Sequence, residues 1–192
     1  KAGIRNFSDL LRWDQTDLIA RFGGMGERLY HLARGEDRRR VSSNTPMKSI
    51  SKETTFYEDT SDPDLLDGHI WRLAEQVADR AKAKGLAGRV VTLKLKRSNH
   101  TQLSRRLALS DPTQLADRIY RTARGLFDQL SEKGPYRLIG CGISDLSDAE
   151  GADKLGDLLD PDAARRSDAE RATDAIRDRF GAKAIIKGRA FR

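Results

Sequence analysis

The sequence predicts an α+β chain: a split βαβ-βαβ sheet domain with four strands and two helices on one face, preceded by a small helical unit and followed by a helical tail. Three observations carry this. Leu66, Ile70, Leu73, Ala74, Val77 and Ala81 recur at helical spacing, and so do Leu115, Ile119, Ala123, Leu126, Phe127 and Leu130. An Asp-Pro pair opens each of these windows, Asp62-Pro63 and Asp111-Pro112, with Asp as N-cap and Pro in the first turn. Strand-like segments at 49–57, 89–97, 101–109 and 136–146 complete the order strand, helix, strand, strand, helix, strand.

The elements follow in chain order. Residues 1–35 read as short helices. Ser8 is a plausible N-cap before Leu10, Leu11 and Trp13; a second helix spans about Thr16 to Phe22 with Leu18, Ile19 and Phe22 inward. Gly23 and Gly24 stop it, and Gly26 starts a third helix with Leu29, Leu32 and Ala33 inward. From Glu36 to Pro46 no apolar period survives, and Arg38, Arg39 and Arg40 make this a basic linker that suits an anion. Gly85 closes the first long helix, Ser98-Asn99-His100 turns the hairpin, and Gly134-Pro135 breaks the second long helix. The tail begins acidic at Asp148, Glu150 and Asp153. Asp160-Pro161 is read as the cap of a weakly amphipathic helix at about 161–180, and Ala184-Ile185-Ile186 is a short apolar patch. Much of this tail is expected to be mobile.

Composition narrows the class. At 192 residues, 38% hydrophobic and 34% charged, the chain suits one ordinary domain plus a smaller one. No apolar run approaches the roughly 20 residues of a membrane span, and residues 1–10 show no signal-peptide pattern. Without an initiating Met, the chain reads as a segment of something longer. Cytoplasm is the expected compartment and a monomer the expected state. The single Cys141, between Gly140 and Gly142, is expected to be buried and inert. A net charge of +7 favours polyanionic partners.

The charge is concentrated in the hairpin. Arg89, Lys94, Lys96, Arg97, Arg105 and Arg106 lie between Gly85 and Ser110, a stretch with no acidic residue. Alternation points Val91, Leu93 and Leu95 toward the helices and Thr92, Lys94 and Lys96 away. On the partner strand Leu103, Leu107 and Leu109 face inward and Gln102, Ser104 and Arg106 outward; Arg105 has inward parity. Cations and hydroxyls on one sheet face suit phosphate. A second phosphate candidate is the Phe22-Gly23-Gly24-Met25-Gly26 turn, which resembles a helix-hairpin-helix loop and can offer backbone N–H groups. Catalytic signals are missing. His31, His69 and His100 lack metal-ligand spacing, and there is no Walker loop or Gly-x-Ser-x-Gly, so no catalytic or metal-binding residue is assigned.

Several motifs resemble one family. Gly3-Ile4-Arg5, Asp9-Leu10, Phe22-Gly23, Gly26 and Ala33-Arg34-Gly35 look like the end of the thumb of Y-family, DinB-like DNA polymerases (bacterial DNA polymerase IV). Lys48-Ser49-Ile50-Ser51-Lys52-Glu53-Thr54-Thr55-Phe56 resembles the start of that family's little finger domain. Val91-Thr92-Leu93-Lys94-Leu95-Lys96, Thr101, Ser104-Arg105, Leu109-Ser110-Asp111-Pro112-Thr113 and Arg137-Leu138-Ile139-Gly140 continue it in order to Leu146. The resemblance implies the end of a helical thumb at 1–36, a basic linker at 37–47, a little finger at 48–147 and a tail at 148–192.

It also implies a job: sequence-independent binding of duplex primer–template DNA by the C-terminal part of a damage-tolerant polymerase. The phosphate-contact candidates are Lys48, Ser49, Lys52, Lys94, Lys96, Thr101, Ser104, Arg105 and Arg106, with Gly24 and Gly26 in the thumb turn. The family's metal-binding carboxylates lie in an N-terminal palm that has no equivalent here, so Mg²⁺ is expected for the intact polymerase and this chain is expected to be inactive alone. Lys154-Leu155-Gly156-Asp157-Leu158-Leu159 matches the hydrophobic spacing of the family's sliding-clamp peptide. It has Lys for Gln and Leu for Phe, so clamp affinity through Leu155, Leu158 and Leu159 is expected to be low. Two alternatives remain open: an RNA-binding module on a similar scaffold, and a clamp-interaction fragment.

Overall fold

The computed structural model describes residues 3–42, 46–130, 134–153, 162–181, 184–186 and 188. The chain divides into two compact units, Lys1–Thr45 and Pro46–Arg192.

The first unit contains α1 (Phe7–Leu11), α2 (Gln15–Phe22) and α3 (Gly24–Ala33). The N-cap of α1 is Asn6, not Ser8. The Asn6 side-chain oxygen accepts the Asp9 N–H at 3.0 Å, and the Asp9 carboxylate accepts the Asn6 N–H at 3.2 Å. This reciprocal box satisfies two N–H groups at once, which Ser8 inside the helix cannot do. Helix α3 begins at Gly24, two residues before the expected start. Gly26 has a packing role: a Cβ there would lie 1.9 Å from the Leu18 carbonyl oxygen, so α2 and α3 meet backbone to backbone. Leu18 is fully buried at this contact, whereas Ile19 and Phe22, expected inward, are 40% and 37% exposed. Three short helices provide too little surface to cover all three side chains. Beyond α3 the chain has no regular structure through residue 42, and Arg39 is paired to Asp37, which holds the Asp37 carboxyl well below its ordinary range.

The second unit runs β1 (Ser49–Thr60), α4 (Pro63–Ala83), β2 (Leu86–Arg97), β3 (Gln102–Thr113), α5 (Ala116–Asp128), β4 (Tyr136–Asp148), a 3-10 turn (Ala149–Gly151) and α6 (Ala163–Phe180). The sheet order is β1-β4-β2-β3, and every neighbouring pair is antiparallel. The last strand therefore inserts between the first and second. Helices α4 and α5 share one core with Ile50, Val91, Leu93, Leu95, Ile139, Cys141 and Ile143, all on one face of the sheet. All six periodic apolar residues expected on α4 are buried. Its start is well capped: Asp62 Oδ1 accepts the N–H groups of Asp64 at 2.9 Å and Leu65 at 3.3 Å.

The second Asp-Pro pair behaves differently. Asp111 and Pro112 end β3, and α5 starts only at Ala116. Pro costs no ladder bond here, because β3 is an edge strand. Thr113 pairs with Gly88 across a register shift, and its hydroxyl accepts the Leu115 N–H at 3.1 Å. The α5 N-cap, Leu115, has no side-chain acceptor. The cap comes from α6: Glu170, 3% exposed, accepts Ala116 N–H at 2.7 Å and Asp117 N–H at 3.0 Å. Glu170 also pairs with Lys82 of α4 at 2.7 Å, and Asp174 pairs with the same ammonium at 2.6 Å. Arg166 to Asp117 at 2.9 Å and Arg177 to Glu75 at 3.1 Å complete the seam. The tail helix is thus docked rather than loose, with Asp162 as its N-cap. A second buried acid, Asp67, joins α4 to α5 by accepting Tyr120 Oη–H and Arg124 Nη1–H, both at 2.6 Å.

Cys141 sits in central strand β4 at 2% exposure, and burial pushes its thiol up to about 12. The thiolate is the reactive form. The native chain is expected to resist a thiol reagent at mildly alkaline pH while the denatured chain reacts fully. A time course of modification by mass spectrometry checks this, and rapid labelling of the native chain would refute it.

Candidate nucleic-acid interface

The face of the sheet opposite α4 and α5 is built in cross-strand rows. One row runs Ser51, Gly142, Thr92, Arg106 from β1 to β3. The next runs Glu53, Gly140, Lys94, Ser104, and the next Thr55, Leu138, Lys96, Gln102. Ser49, Ser144, Val90 and Ala108 form the row on the other side. Strand alternation sets this pattern, because every second residue of each strand faces the core.

Glycine shapes the middle. A Cβ on Gly142 would lie 2.7 Å from the Ser51 Cβ, and one on Gly140 would lie 3.0 Å from the Glu53 Cβ. With side chains missing at two successive open-face positions of a central strand, a shallow groove of about 310 Å³ opens above them. Its walls include Ser51, Glu53, Thr92, Lys94, Ser104 and Ser144. The groove thus combines hydroxyl donors and a cation over a floor of small residues without bulky side chains, a surface that admits a phosphodiester chain closely.

Of the residues expected to contact phosphate, Ser49, Lys94, Lys96, Ser104 and Arg106 share this open face. Lys48 is exposed immediately before β1. Lys52 and Arg105 have the opposite strand parity, although Lys52 also borders the groove. They belong to the row Lys52, Cys141, Leu93, Arg105, whose central members are buried under the helices. As ends of that row they occupy opposite edges of the sheet, and Arg105 donates to the Ser104 carbonyl at 3.1 Å. Thr101 lies at the hairpin tip, where its carbonyl accepts the Arg97 N–H at 2.9 Å and His100 takes a φ of 65°. In the first unit, Gly24 is exposed at the start of α3, whereas the Gly26 N–H donates to the Gly23 carbonyl at 2.8 Å. Leu155, Leu158 and Leu159 of the clamp-like peptide lie outside the described residues.

Two features of the face escaped the hairpin-centred reading. Although residues 86–109 contain no acid, the face does: β4 places Glu53 of β1 across from Lys94, and their Oε2 and Nζ atoms are 2.7 Å apart. The groove floor is the other. Its signal was in the sequence, since Gly140, Gly142 and Ser144 put small residues at alternate positions of one strand. Only the strand order shows that this strand is central.

Asp153, half-buried beside α5, accepts the Gln114 N–H at 3.1 Å and Arg118 Nη1–H at 3.2 Å. Glu150 is exposed in the 3-10 turn. Among the described residues, no group of three or more His, Cys, Asp or Glu is placed to hold a metal ion, and no helix is long and apolar enough to cross a membrane.

Residues 47–156, covering the whole sheet with α4 and α5, match the sequence model of the "impB/mucB/samB family C-terminal domain". The chain belongs to this family. The relatives are those the motifs predicted, Y-family polymerases named DNA polymerase IV. "DNA polymerase IV 1" of Mesorhizobium japonicum is 44% identical over 98% of this chain and 43% of its own length. DNA polymerase IV of Brucella melitensis is 42% identical over 98% of this chain and 42% of its own. DNA polymerase IV of Caulobacter vibrioides is 39% identical over 99% of this chain and 47% of its own. The chain thus spans less than half the length of these curated relatives. Helix α6 lies beyond the family-model match but within the aligned length of the Mesorhizobium and Brucella relatives.

Proposed function

We propose that the open sheet face holds the sugar–phosphate backbone of duplex primer–template DNA without reading its sequence. In this reading the chain is the DNA-holding C-terminal part of a damage-tolerant, template-directed DNA polymerase. One observation carries the proposal: Lys94, Lys96 and Arg106 stand with Thr92, Ser51 and Ser104 on the single sheet face opposite α4 and α5, over a glycine floor. Phosphate contacts of this kind position a duplex but carry no sequence information. A polymerase that must accept any template, damaged or not, needs that property.

Nucleotide addition and its Mg²⁺ ions belong to residues outside this chain. Asp67, Asp153 and Glu170 are each committed to helix contacts. The RNA alternative is less well supported: recognition of single-stranded RNA on such sheets stacks bases on exposed aromatics, the four open-face rows contain none, and Tyr57, fully exposed further along edge strand β1, stands by itself there.

Binding of a labelled primer–template duplex to the chain, measured by anisotropy across a salt series, tests the proposal. A log–log slope of about −3 to −6 is expected for roughly four to six neutralised phosphates. Salt-independent binding, no binding at low salt, or stronger competition by single-stranded RNA than by duplex DNA would each count against it.

A further inference from the structure

The open face contains an acid where its proposed ligand is a polyanion. Of the three outward cations, Lys94 has an ion-pair partner, Glu53, at 2.7 Å; among the described residues neither Lys96 nor Arg106 has an acidic partner. Glu53 and Lys94 lie on strands separated by β4, so their backbones are roughly 10 Å apart. The two side chains close that gap over Gly140, where no side chain intervenes. Their exposures, 51% for Glu53 and 35% for Lys94, mark a solvated pair of the kind that contributes little to stability. Among the described residues Glu53 caps no helix, and it is exposed, unlike the buried acids Asp67 and Glu170 that tie helices together.

We infer that Glu53 is an internal counter-ion for Lys94: it holds the ammonium in the free chain and yields it to a DNA phosphate on binding. The inference rests on the DNA-holding role proposed above and goes beyond it by naming a residue that weakens the grip. The exchange is chemically even, one oxyanion for another at a single ammonium. As a phosphate leaves, the carboxylate is already beside the ammonium to replace it. A face that must release and retake the backbone at each nucleotide step gains a faster off-rate from such a built-in competitor. Lys96 and Arg106, lacking one, supply the standing attraction.

The test compares the full 192-residue chain with E53Q, K94Q and the E53Q/K94Q double variant, using a labelled primer–template duplex. E53Q is expected to tighten binding about three- to tenfold at ~0.1 M salt, mainly through slower dissociation, the size of effect that one exposed charge contact gives. K94Q is expected to weaken binding, and in its background the gain from E53Q should fall by at least about half, the signature of coupled neighbours. Unchanged or weaker binding by E53Q would overturn the inference. So would an equal gain with and without Lys94, which would mean diffuse repulsion rather than a pair. The Lys94 ammonium resonance should shift on E53Q in the absence of DNA; an unmoved resonance would also overturn it. If the parent chain fails to bind duplex DNA at all, the underlying reading falls and takes the inference with it. If the parent binds with the expected salt slope and E53Q brings no gain, the inference alone falls.

Discussion

Changing Lys94, Lys96 and Arg106 together to Glu is expected to weaken duplex binding by at least about 100-fold at ~0.1 M salt and to flatten the log–log salt slope by about 3. Each of these side chains stands on the open face, and none belongs to the core shared with α4 and α5. The fold should therefore survive. The local cost is a like-charge neighbour for Glu53, which one exposed contact limits to about 1 kcal/mol or less. Circular dichroism of the variant separates lost binding from lost structure. A folded variant with parental affinity would remove the open face from the binding surface. Reversing Lys52 and Arg105 instead should cost much less, because their row faces the helices from the two edges of the sheet.

The largest expected effect on stability lies far from that face. Glu170→Ala should destabilise the second unit by about 3 kcal/mol, because it strips two helix N–H groups of their acceptor and leaves Lys82 half-buried with Asp174 alone. Glu170→Gln keeps an acceptor oxygen and should cost less. Burial disfavours the Lys82 ammonium, but Glu170 and Asp174 outweigh it and hold the group above its ordinary 10.5. A cation with a raised folded-state value is stabilising at neutral pH, and that contribution is lost only as pH rises through the alkaline range. Amide exchange should show the first turn of α5 and most of α6 opening together in Glu170→Ala. A variant within about 0.5 kcal/mol of the parent by denaturant titration would show that α6 is not an anchor for α5.

Much of the sheet domain was legible because its signals are local. The apolar residues of α4 recur on one face, Asp62 and Pro63 cap it, and alternation places Lys94 and Lys96 on the side away from Leu93 and Leu95. Where a local signal admits two outcomes, tertiary contacts decide. Asp111-Pro112 reads like Asp62-Pro63, yet it ends an edge strand, because Thr113 pairs with Gly88 and Glu170 supplies the helix cap from a distance. Leu107 alternates inward with Leu103 and Leu109, yet it is 50% exposed.

The sequence alone therefore determined the element order, the helix-facing side chains of β2 and α4, the cationic hairpin and the family. These depend on residue type and spacing within a single element, and spacing is what a chain writes down. The tertiary structure alone decided that β4 is central, that Gly140 and Gly142 form a groove floor, that Glu53 meets Lys94 and that Glu170 caps α5. Each of these joins residues from different elements. No local propensity encodes such a meeting, because it exists only once strand order and helix docking have brought the partners within a few ångströms.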